Sequence, residues 1–391
     1  MKLNKKSILF ISSRFPYPLD TGDRLVMFNN IKLVSDEYNV TLFTMYDDDD
    51  ELNNLDKLKI YCVNVITIKR SKIETYFNLF LSPLILEPLQ VAYYKSKVFK
   101  QKLNELLLGK QFDIVHIYML RMAHYVQNFD SFKVLSLIDS MSLNMSRRAE
   151  NETGLKYIIF KYETLLIKNY ELKMVNKFDT SLVVSNIDKE VINKNNIDVI
   201  PIGVDIFQCA KAKELNTIIF TGNMGYFPNQ NAVLWFVKNC FDGIKKEIPD
   251  VRFVIVGKNP PKHIQDYHDG QNVFVKGFVE SMTDELCSAS ISIAPMQSGS
   301  GMQNKILEAM SIGLPVITTE LGRGDIMAVD EKNILIANTP DQFVRSCIEL
   351  LNDVEKQDLI GNNAKIFIND NHSWKNIKQQ YLKIYTAGAC K

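Results

Sequence analysis

The chain has 391 residues, of which 46% are hydrophobic and 23% are charged, as is ordinary for a globular protein. This composition excludes an intrinsically disordered chain, a collagen-like repeat and a polytopic membrane protein. The 46 basic and 45 acidic residues leave a net charge of +1, so the basic excess that is typical of nucleic-acid-binding proteins is missing. At about 150 residues per domain, the length predicts two or three domains.

The six cysteines form no Cys-x-x-Cys pair, and such spacing fits neither a zinc ribbon nor a small disulfide scaffold. We therefore expect most of them to be reduced, in a cytoplasmic protein. The basic residues at the N-terminus precede an apolar run, Ile8–Ile11, that is too short for a signal peptide and indicates a buried strand.

Short runs rich in Ile, Val, Leu and Phe alternate with stretches of helical periodicity, a pattern typical of parallel sheets in an α/β fold. The strands predicted in the first half are Ser7–Ser13, Val40–Tyr46, Asn64–Lys69, Asp113–Tyr118, Lys133–Asp139, Ser181–Ser185 and Asp198–Pro201. The clearest helices between them are Asp23–Ser35, Ser96–Leu108 and Leu155–Val175.

The most apolar stretch of the chain, Tyr76–Tyr94, also lies in this half. Pro83, Glu87 and Pro88 interrupt it, so it is too broken to span a bilayer. We expect this stretch to be part of the core, and contact with a membrane surface is the alternative.

The strand and helix pattern restarts near Thr217. The strands predicted here are Thr217–Thr221, Arg252–Gly257, Val273–Gly277, Ile291–Met296, Leu314–Thr319 and Asn333–Ile336, with helices at Asn231–Lys246 and Gln303–Ile312. Two such sets predict two doubly wound domains, residues 1–203 and 204–372, followed by a last helical segment, 373–391. Ligands of open α/β sheets bind beyond the carboxyl ends of the strands, so we expect the two domains to face a central cleft.

The segment Pro295–Pro315, PMQSGSGMQNKILEAMSIGLP, carries the strongest signal for a ligand. A predicted strand leads through the glycine loop Gly299-Ser300-Gly301 into a helix, whose free N–H groups and partial positive charge suit a diphosphate. At helical spacing, Lys305 and Glu308 share a polar face. Lys305 suits a phosphate, and Glu308 suits the hydroxyls of a ribose. A turn followed by a solvated Lys–Glu pair is the alternative interpretation.

In these residues the chain resembles family 4 glycosyltransferases, which are retaining enzymes of the GT-B fold. The segments FTGNMGYFPNQNA at Phe220–Ala232 and FPYPLDTGDR at Phe15–Arg24 resemble the subgroup of polysaccharide-biosynthesis sugar transferases. The resemblance implies an N-terminal domain that binds the acceptor and a C-terminal domain that binds a nucleotide-sugar. It also implies that the last helix crosses back onto the N-terminal domain.

The resemblance assigns donor-binding roles in the C-terminal domain. Glu308 matches the glutamate that binds the nucleotide ribose, and Lys305 matches a basic position of the donor site. The other positions implied at this site are Gly222, Asn223, Gly277, Phe278, Val279, Gly299, Ser300 and Gly301. The chain departs from the family at Ser300, where many members carry a glutamate that contacts the donor sugar. It also lacks the Arg and Lys that often follow the first strand of this domain.

Several residues of the N-terminal domain follow predicted strands and are candidates for the acceptor side. The loop of Gly22, Asp23 and Arg24 opens a helix, and the Arg24 guanidinium suits a phosphate. Asp139 is placed to bind or help deprotonate an acceptor hydroxyl, or else to cap the next helix. Arg121 is a candidate contact for acceptor or phosphate. We group His116 with these catalytic candidates, although a histidine at this point of a strand more often belongs to the core.

The sequence contains no metal-binding motif, and we interpret the acidic run Asp47–Glu51 as a solvated loop. We expect neither a metal nor another cofactor, since GT-B enzymes neutralise the leaving diphosphate with helix dipoles and basic residues. The resulting hypothesis is a retaining glycosyltransferase of hexosyltransferase type that uses a UDP- or GDP-sugar and a saccharide or lipid-linked acceptor. It would act in bacterial surface polysaccharide biosynthesis, in the cytoplasm or at the inner face of the membrane. A non-catalytic GT-B-like subunit is the alternative, and a nucleotide-sugar epimerase is a weaker one.

Overall fold

The computed structural model describes residues 5–19, 21–125, 131–150, 152–209, 214–298 and 302–388. The chain divides into two compact units. Unit 1 comprises Met1–Pro201 together with Ile377–Lys391, and unit 2 comprises Ile202–Asn376.

Unit 1 is built on a seven-stranded sheet in which all neighbouring strands pair in parallel, in the order β3-β2-β1-β4-β5-β6-β7. The strands are β1 Ser7–Ser12, β2 Asn39–Tyr46, β3 Asn64–Lys69, β4 Ile114–Tyr118, β5 Phe132–Ile138, β6 Thr180–Val183 and β7 Ile197–Val199. The central strands β1, β4 and β5 are almost entirely buried, which explains their continuous apolar runs.

Helices cover this sheet. They are α1 Gly22–Val34, α2 Leu55–Lys59, α3 Lys72–Leu81, α4 Leu89–Tyr93, α5 Lys97–Gly109, α6 Met141–Glu150, α7 Gly154–Val175 and α8 Asn186–Ile192, with 3₁₀ helices at Asp49–Asn54 and Leu120–Tyr125. Ser96 caps α5, and Ser185 caps α8, each by accepting a hydrogen bond from a backbone N–H of the first turn.

Unit 2 repeats the plan with a six-stranded parallel sheet in the order β10-β9-β8-β11-β12-β13. The strands are β8 Thr217–Thr221, β9 Arg252–Val256, β10 Val273–Gly277, β11 Ile291–Ala294, β12 Val316–Thr318 and β13 Leu335–Ile336. In both sheets the order reverses beside the first strand, between β1 and β4 and between β8 and β11. Such switch points are where doubly wound folds bind ligands.

The helices of unit 2 are α9 Phe227–Phe236, α10 Asp242–Glu247, α11 Lys262–Gln265, α12 Met282–Ser288, α13 Asn304–Ser311, α14 Glu320–Arg323, α15 Pro340–Asn352 and α16 Val354–His372, with a π-helical turn at Val237–Phe241 between α9 and α10. Thr339 and Gln342 form a capping box at the start of α15, where Pro340 is the first residue of the helix. The last helix of the described chain is α17, Trp374–Gly388.

Helix α17 supplies core residues to unit 1. Its Tyr385 is fully buried, and the Tyr385 hydroxyl lies 2.6 Å from Nδ1 of His116 on β4. The side chain of Asn30 on α1 donates to the hydroxyls of both Tyr118 and Tyr385, at 2.5 and 3.3 Å. This network ties α17 to the central strand and to α1.

The stretch Tyr76–Tyr94 only partly agrees with the expectation of a core segment. Val91, Ala92 and Tyr94 are buried, but the expectation is wrong for the first half, where Tyr76 and Phe80 are more than two-thirds exposed. Among the described residues, no helix is long and apolar enough to cross a membrane.

A disulfide joins Cys209 to Cys287 on α12 in unit 2, with 5.4 Å between the Cα atoms. The spacing of these cysteines gave no sign of the bond, and it corrects the expectation of reduced cysteines at these two positions. Cys62, Cys240 and Cys347 are free and buried. Cys390 lies outside the described residues.

The substitution Tyr385→Phe should lower the free energy of unfolding by about 1–3 kcal/mol, because it removes a hydroxyl on which buried polar groups of His116 and Asn30 depend. Denaturant unfolding of both proteins measures the difference. Tyr76→Phe is the matched control, since Tyr76 is 71% exposed. Equal unfolding curves for the Tyr385 variant and the natural chain would show that the network adds no stability.

Candidate active site

At the switch point of unit 2, Lys305 on α13 reaches back to the first turn of α9, the helix that follows β8. Its ammonium donates to Oδ1 of Asn229 at 2.5 Å and lies 4.6 Å from the ring centre of Phe220. The opposite side of α13 is fixed in the core by Ile306 and Met310, which are fully buried. The helical period therefore directs Lys305 to the side of α13 that faces Phe220 and the first turn of α9.

The charge of Lys305 is poorly solvated where it lies. Desolvation lowers its pKa to about 7, although the nearby Glu308 carboxylate acts in the opposite direction. The contacts with the Asn229 amide oxygen and the Phe220 ring are both ones that a cation prefers, yet neither carries a full negative charge. An anion bound at this position would thus raise the pKa of Lys305 towards its ordinary value, and its binding would be stabilised by the charge of the ammonium.

Two glycines shape the loops at the ends of β8 and β9. A Cβ atom on Gly257 would lie 1.7 Å from the carbonyl oxygen of Gly222, so the two backbones touch in a way that only glycine allows. A Cβ atom on Gly222 would meet the Asn229 side chain at 2.8 Å, and the Asn229 amide donates to the Asn223 carbonyl at 2.9 Å. These contacts place Asn229 where it receives the Lys305 ammonium.

The other donor-side candidates fall around this cluster or outside the described residues. Gly277 ends β10 with a φ of +67°, and the Phe278 side chain that follows it is 67% exposed. Val279 packs partly buried against the core of unit 2, and Glu308 is exposed on α13. Gly299, Ser300 and Gly301 lie outside the residues that the structure describes.

Asp139 follows β5 in unit 1, at the carboxyl edge of the sheet. It lines a cavity of about 200 Å³ together with Gln90, Met119, Leu137, Met141, Asn144, Met145 and Arg148. Burial raises the pKa of Asp139 to about 6, and the neighbouring Asp188 carboxylate adds to the shift. A carboxyl group with this pKa exchanges a proton near neutral pH, which suits acid–base work.

The backbone is strained on both sides of this cavity. Ile138 has a φ of +69° directly before Asp139, and Met119 has a φ of +73° at the end of the adjacent strand β4. A β-branched residue such as isoleucine rarely adopts the left-handed region. The loop is held by Glu171 of α7, whose carboxylate accepts hydrogen bonds from the Met141 N–H at 2.9 Å and the Ser142 hydroxyl at 2.6 Å. Strain of this kind is concentrated at functional sites.

Arg121 and Asp23 are brought together at the switch point of unit 1. The Arg121 guanidinium is buried, donates to the Ser13 hydroxyl at 2.8 Å and lies 3.5 Å from the Asp23 carboxylate. Arg14 lies 3.6 Å from the same carboxylate, so two cations share one acidic partner. Desolvation by burial lowers the pKa of Arg121, which marks a charge that is incompletely compensated.

His116 belongs to the core, and the structure corrects its grouping with the catalytic candidates. The ring is fully buried, Nδ1 faces the Tyr385 hydroxyl, and Nε2 lies 2.7 Å from the Ser136 hydroxyl. Both ring nitrogens are therefore occupied by the protein. Burial lowers the pKa of His116 to about 3, so the ring is neutral.

The placement of Arg24 favours a structural role over phosphate binding, because its guanidinium pairs with Glu51. Gly22 is the first residue of α1, and a Cβ atom there would meet nothing. The acidic run was expected to be a solvated loop, and Asp47–Asp50 are exposed, but Asp49–Asn54 form a 3₁₀ helix and the Glu51 side chain is only 14% exposed. Its carboxylates are engaged: Asp47 pairs with Arg70 at 2.6 Å, and Asp49 pairs with Lys69. Within the described part of the chain, no group of three or more His, Cys, Asp or Glu side chains could hold a metal ion.

Comparisons with known proteins agree with this geometry. Residues 216–353 match the family model described as "Glycosyl transferases group 1". A protein of Klebsiella pneumoniae, called an uncharacterized 44.6 kDa protein in the cps region, is 25% identical and covers 96% of this chain and 99% of its own length.

Two solved structures match nearly the whole chain at 14% identity. HepE of Anabaena in complex with UDP has a TM-score of 0.71 and covers 97% of this chain and 100% of its own. Sucrose-phosphate synthase from Thermosynechococcus elongatus has a TM-score of 0.70, with coverage of 98% and 99%.

The fold is GT-B. The predicted pair of Rossmann-like domains is thereby confirmed. The match to the group 1 family lies within unit 2 of the GT-B chain and includes Gly222, Lys305 and Glu308. Sequence reasoning missed Asn229, which binds Lys305, and Glu171, which holds the Asp139 loop. Asn229 lies within the segment FTGNMGYFPNQNA, but no residue pattern showed that it would meet a lysine 76 positions later.

The substitution Gly257→Ala should destabilise the protein by about 2 kcal/mol or more, because the added Cβ atom has no room beside the Gly222 carbonyl. Thermal unfolding measures the loss. Gly109→Ala is the control, since a Cβ atom on Gly109 meets nothing within 4 Å. If both variants melt at the temperature of the natural chain, Gly257 and the Gly222 carbonyl are not in close contact.

Proposed function

We propose that the chain is a retaining glycosyltransferase of hexosyltransferase type. It moves a sugar from a UDP- or GDP-sugar to a hydroxyl group of a saccharide or lipid-linked saccharide acceptor. The observation that carries the proposal is the Lys305 ammonium, which is held at the switch point of unit 2 by Asn229 and Phe220, with no carboxylate of the described residues in hydrogen-bond contact. The group 1 family match in the same unit supports sugar transfer.

Unit 2 is proposed to bind the donor. Lys305 would pair with the diphosphate, the Glu308 carboxylate would accept hydrogen bonds from the ribose, and the loop at Gly277–Val279 would lie near the base. The HepE structures with UDP and with UDP-glucose support a nucleotide-sugar as the donor class, and the lower pKa of Lys305 indicates a cation that gains from an anionic ligand.

Unit 1 is proposed to bind the acceptor in the cavity beside Asp139. In its deprotonated form, Asp139 would accept a hydrogen bond from the acceptor hydroxyl and orient it. The bond between the sugar C1 and the diphosphate oxygen breaks, and the acceptor oxygen bonds to C1 on the same face. The acceptor proton passes to the leaving diphosphate, whose charge Lys305 stabilises. No metal ion has a role in this proposal.

We infer a role in surface polysaccharide biosynthesis from two observations. One is the resemblance to polysaccharide sugar transferases, and the other is the Klebsiella relative in a cps region. A non-catalytic GT-B-like subunit remains the competing hypothesis, because Ser300 stands where many transferases carry a glutamate. Lys305 and Glu308 argue against it, since a subunit without a donor has no need of a desolvated cation.

The natural chain should bind UDP or GDP and their sugars, and Lys305→Ala should weaken binding by about 10- to 100-fold. Because anion binding restores the proton to Lys305, affinity for the natural chain should fall as the pH rises from 7 to 9, and the variant should lose this dependence. Glu308→Ala should weaken the binding of nucleoside diphosphates more than the binding of inorganic diphosphate. Calorimetric titrations measure all three effects.

The matched control for these titrations is Lys356→Ala, since Lys356 lies on α16 and pairs with Glu349. Unchanged affinity in both the Lys305 and Glu308 variants would reject the proposed donor site. If the natural chain binds no nucleotide at all, the non-catalytic hypothesis replaces the enzyme.

Asp139→Asn should lower kcat by about 10²- to 10³-fold while the affinity for the donor stays unchanged. Activity of the natural chain should decrease as the pH falls through about 6, where Asp139 takes up a proton. Turnover with a nucleotide-sugar, followed across pH, checks both. Asp56→Asn is the control, as the Asp56 side chain is 89% exposed. If the Asp139→Asn variant kept the natural kcat and the same decrease in activity at acidic pH, Asp139 would have no role in the reaction.

A further inference from the structure

The polar side of helix α3 packs against the rest of unit 1. Thr75 on this side and Ser82, which directly follows the helix, are buried. Arg70 donates to the Thr75 hydroxyl at 2.9 Å, and the Asn78 amide donates to the Lys95 carbonyl at 3.0 Å. These bonds fix the rotation of the helix about its own axis.

The opposite side of α3 is apolar and faces outward. Ile73, Tyr76, Phe77 and Phe80 recur at the i, i+3, i+4, i+7 spacing of one helix face, and each is at least 61% exposed. The apolar surface continues into the turn that follows, at Leu84, Ile85 and Leu86. A surface helix of a globular protein normally buries its apolar side, so α3 has the reverse orientation.

A second outward strip lies on the N-terminal half of α7. Its members share one face and are all exposed: Leu155, Ile158, Ile159, Tyr162 and Leu165. Glu163 and Ile167, on the other side of the helix, are buried. The backbone N–H of Leu89, which follows the turn after α3, donates to the Glu163 carboxylate on the buried side of α7 at 2.7 Å. The two strips therefore lie on neighbouring elements of unit 1.

The charges that accompany these strips are mainly basic. Lys72, Lys156, Lys161 and Lys168 are all exposed on α3 and α7. The acidic groups within the strips are engaged by the protein, because Glu87 pairs with Lys95 at 2.6 Å and Glu163 is buried. An apolar strip with lysines along its edges and aromatic side chains within it is typical of helices that lie in the interface of an anionic bilayer.

We propose that this docking surface, formed by the exposed apolar side chains of residues 73–89 and 155–165 and by their lysines, binds the surface of an anionic lipid bilayer. An apolar strip that is exposed along a whole helix face, as on α3, marks an interaction site. A symmetric contact between two copies would set lysines of one docking surface against those of the other. Anionic headgroups instead complement the lysines, and each lysine near such a surface adds attraction.

The docking surface adjoins the Asp139 cavity. Gln90 lines the cavity and follows Leu89 of the docking surface, and Arg148 lines the cavity while its guanidinium stacks 4.6 Å from the Phe160 ring on α7. A chain seated on a bilayer through this surface would hold the cavity close to the headgroups. The binding itself does not depend on sugar transfer, so it can be tested apart from the proposed function.

Vesicle flotation with the full chain tests the docking surface. The natural chain should float with phosphatidylcholine vesicles that contain about 30% phosphatidylglycerol and should float less with phosphatidylcholine alone. The double variant Phe77→Ser/Phe80→Ser should reduce binding by about tenfold or more. Lys156→Glu/Lys161→Glu should remove the preference for the anionic vesicles.

The matched control is Val98→Ser/Leu108→Ser, which changes two exposed apolar residues of α5 and should leave flotation unchanged. All sites are exposed, so thermal unfolding should be the same for every variant. Absence of flotation in the natural chain, or equal flotation of the Phe77/Phe80 variant, would overturn the proposal. So would a dimer in sedimentation experiments that dissociates in that variant, because the docking surface would then belong to a second copy.

Discussion

Parallel pairing of every pair of neighbouring strands is the constraint on which both units depend. In such a sheet all carboxyl ends emerge at one edge, and each is followed by a loop that leads into a covering helix. The order reverses beside β1 and beside β8, so adjacent loops diverge there and leave room for a ligand. These two points hold Arg121 and Asp23 in unit 1, and Gly222 and Lys305 in unit 2. The residues of each pair lie there because they follow strands on the two sides of the reversal.

In unit 2, packing and electrostatics act on the same side chain. The buried residues of α13 set the direction of Lys305, and the contact between Gly222 and Gly257 sets the position of the loop that leads into α9, whose first turn carries Asn229. The Lys305 ammonium is desolvated, and its direct contacts, the Asn229 amide oxygen and the Phe220 ring, are neutral. Because desolvation lowers the pKa of Lys305 to about 7, the ammonium can lose its proton near neutral pH. The Asp139 side chain shows the converse in unit 1, where burial and Asp188 make a carboxylate less favourable.

Much of the fold follows from the sequence, because buried parallel strands are short continuous apolar runs bounded by polar turns. The β3, β8 and β10 strands begin and end at the predicted residues, and the others differ by a few. Pairings between distant residues were not predictable in the same way. Nothing in the local pattern of His116 indicates a hydroxyl 269 positions away, and nothing pairs Cys209 with Cys287. For α3, periodicity predicts an apolar face, but only the polar contacts of Thr75 and Asn78 decide that this face points outward.

The position of Tyr385 has a consequence for how the protein is made. During synthesis, residues 1–201 leave the ribosome before the helix that meets His116 and Asn30, because that helix is encoded after the whole of unit 2. Unit 1 can reach its final packing only after residues 202–376 have been translated. The packing of unit 1 is thus completed only when the C-terminal helix has been made. If translation stops before that helix, His116 lacks the Tyr385 hydroxyl, one of its two hydrogen-bond partners.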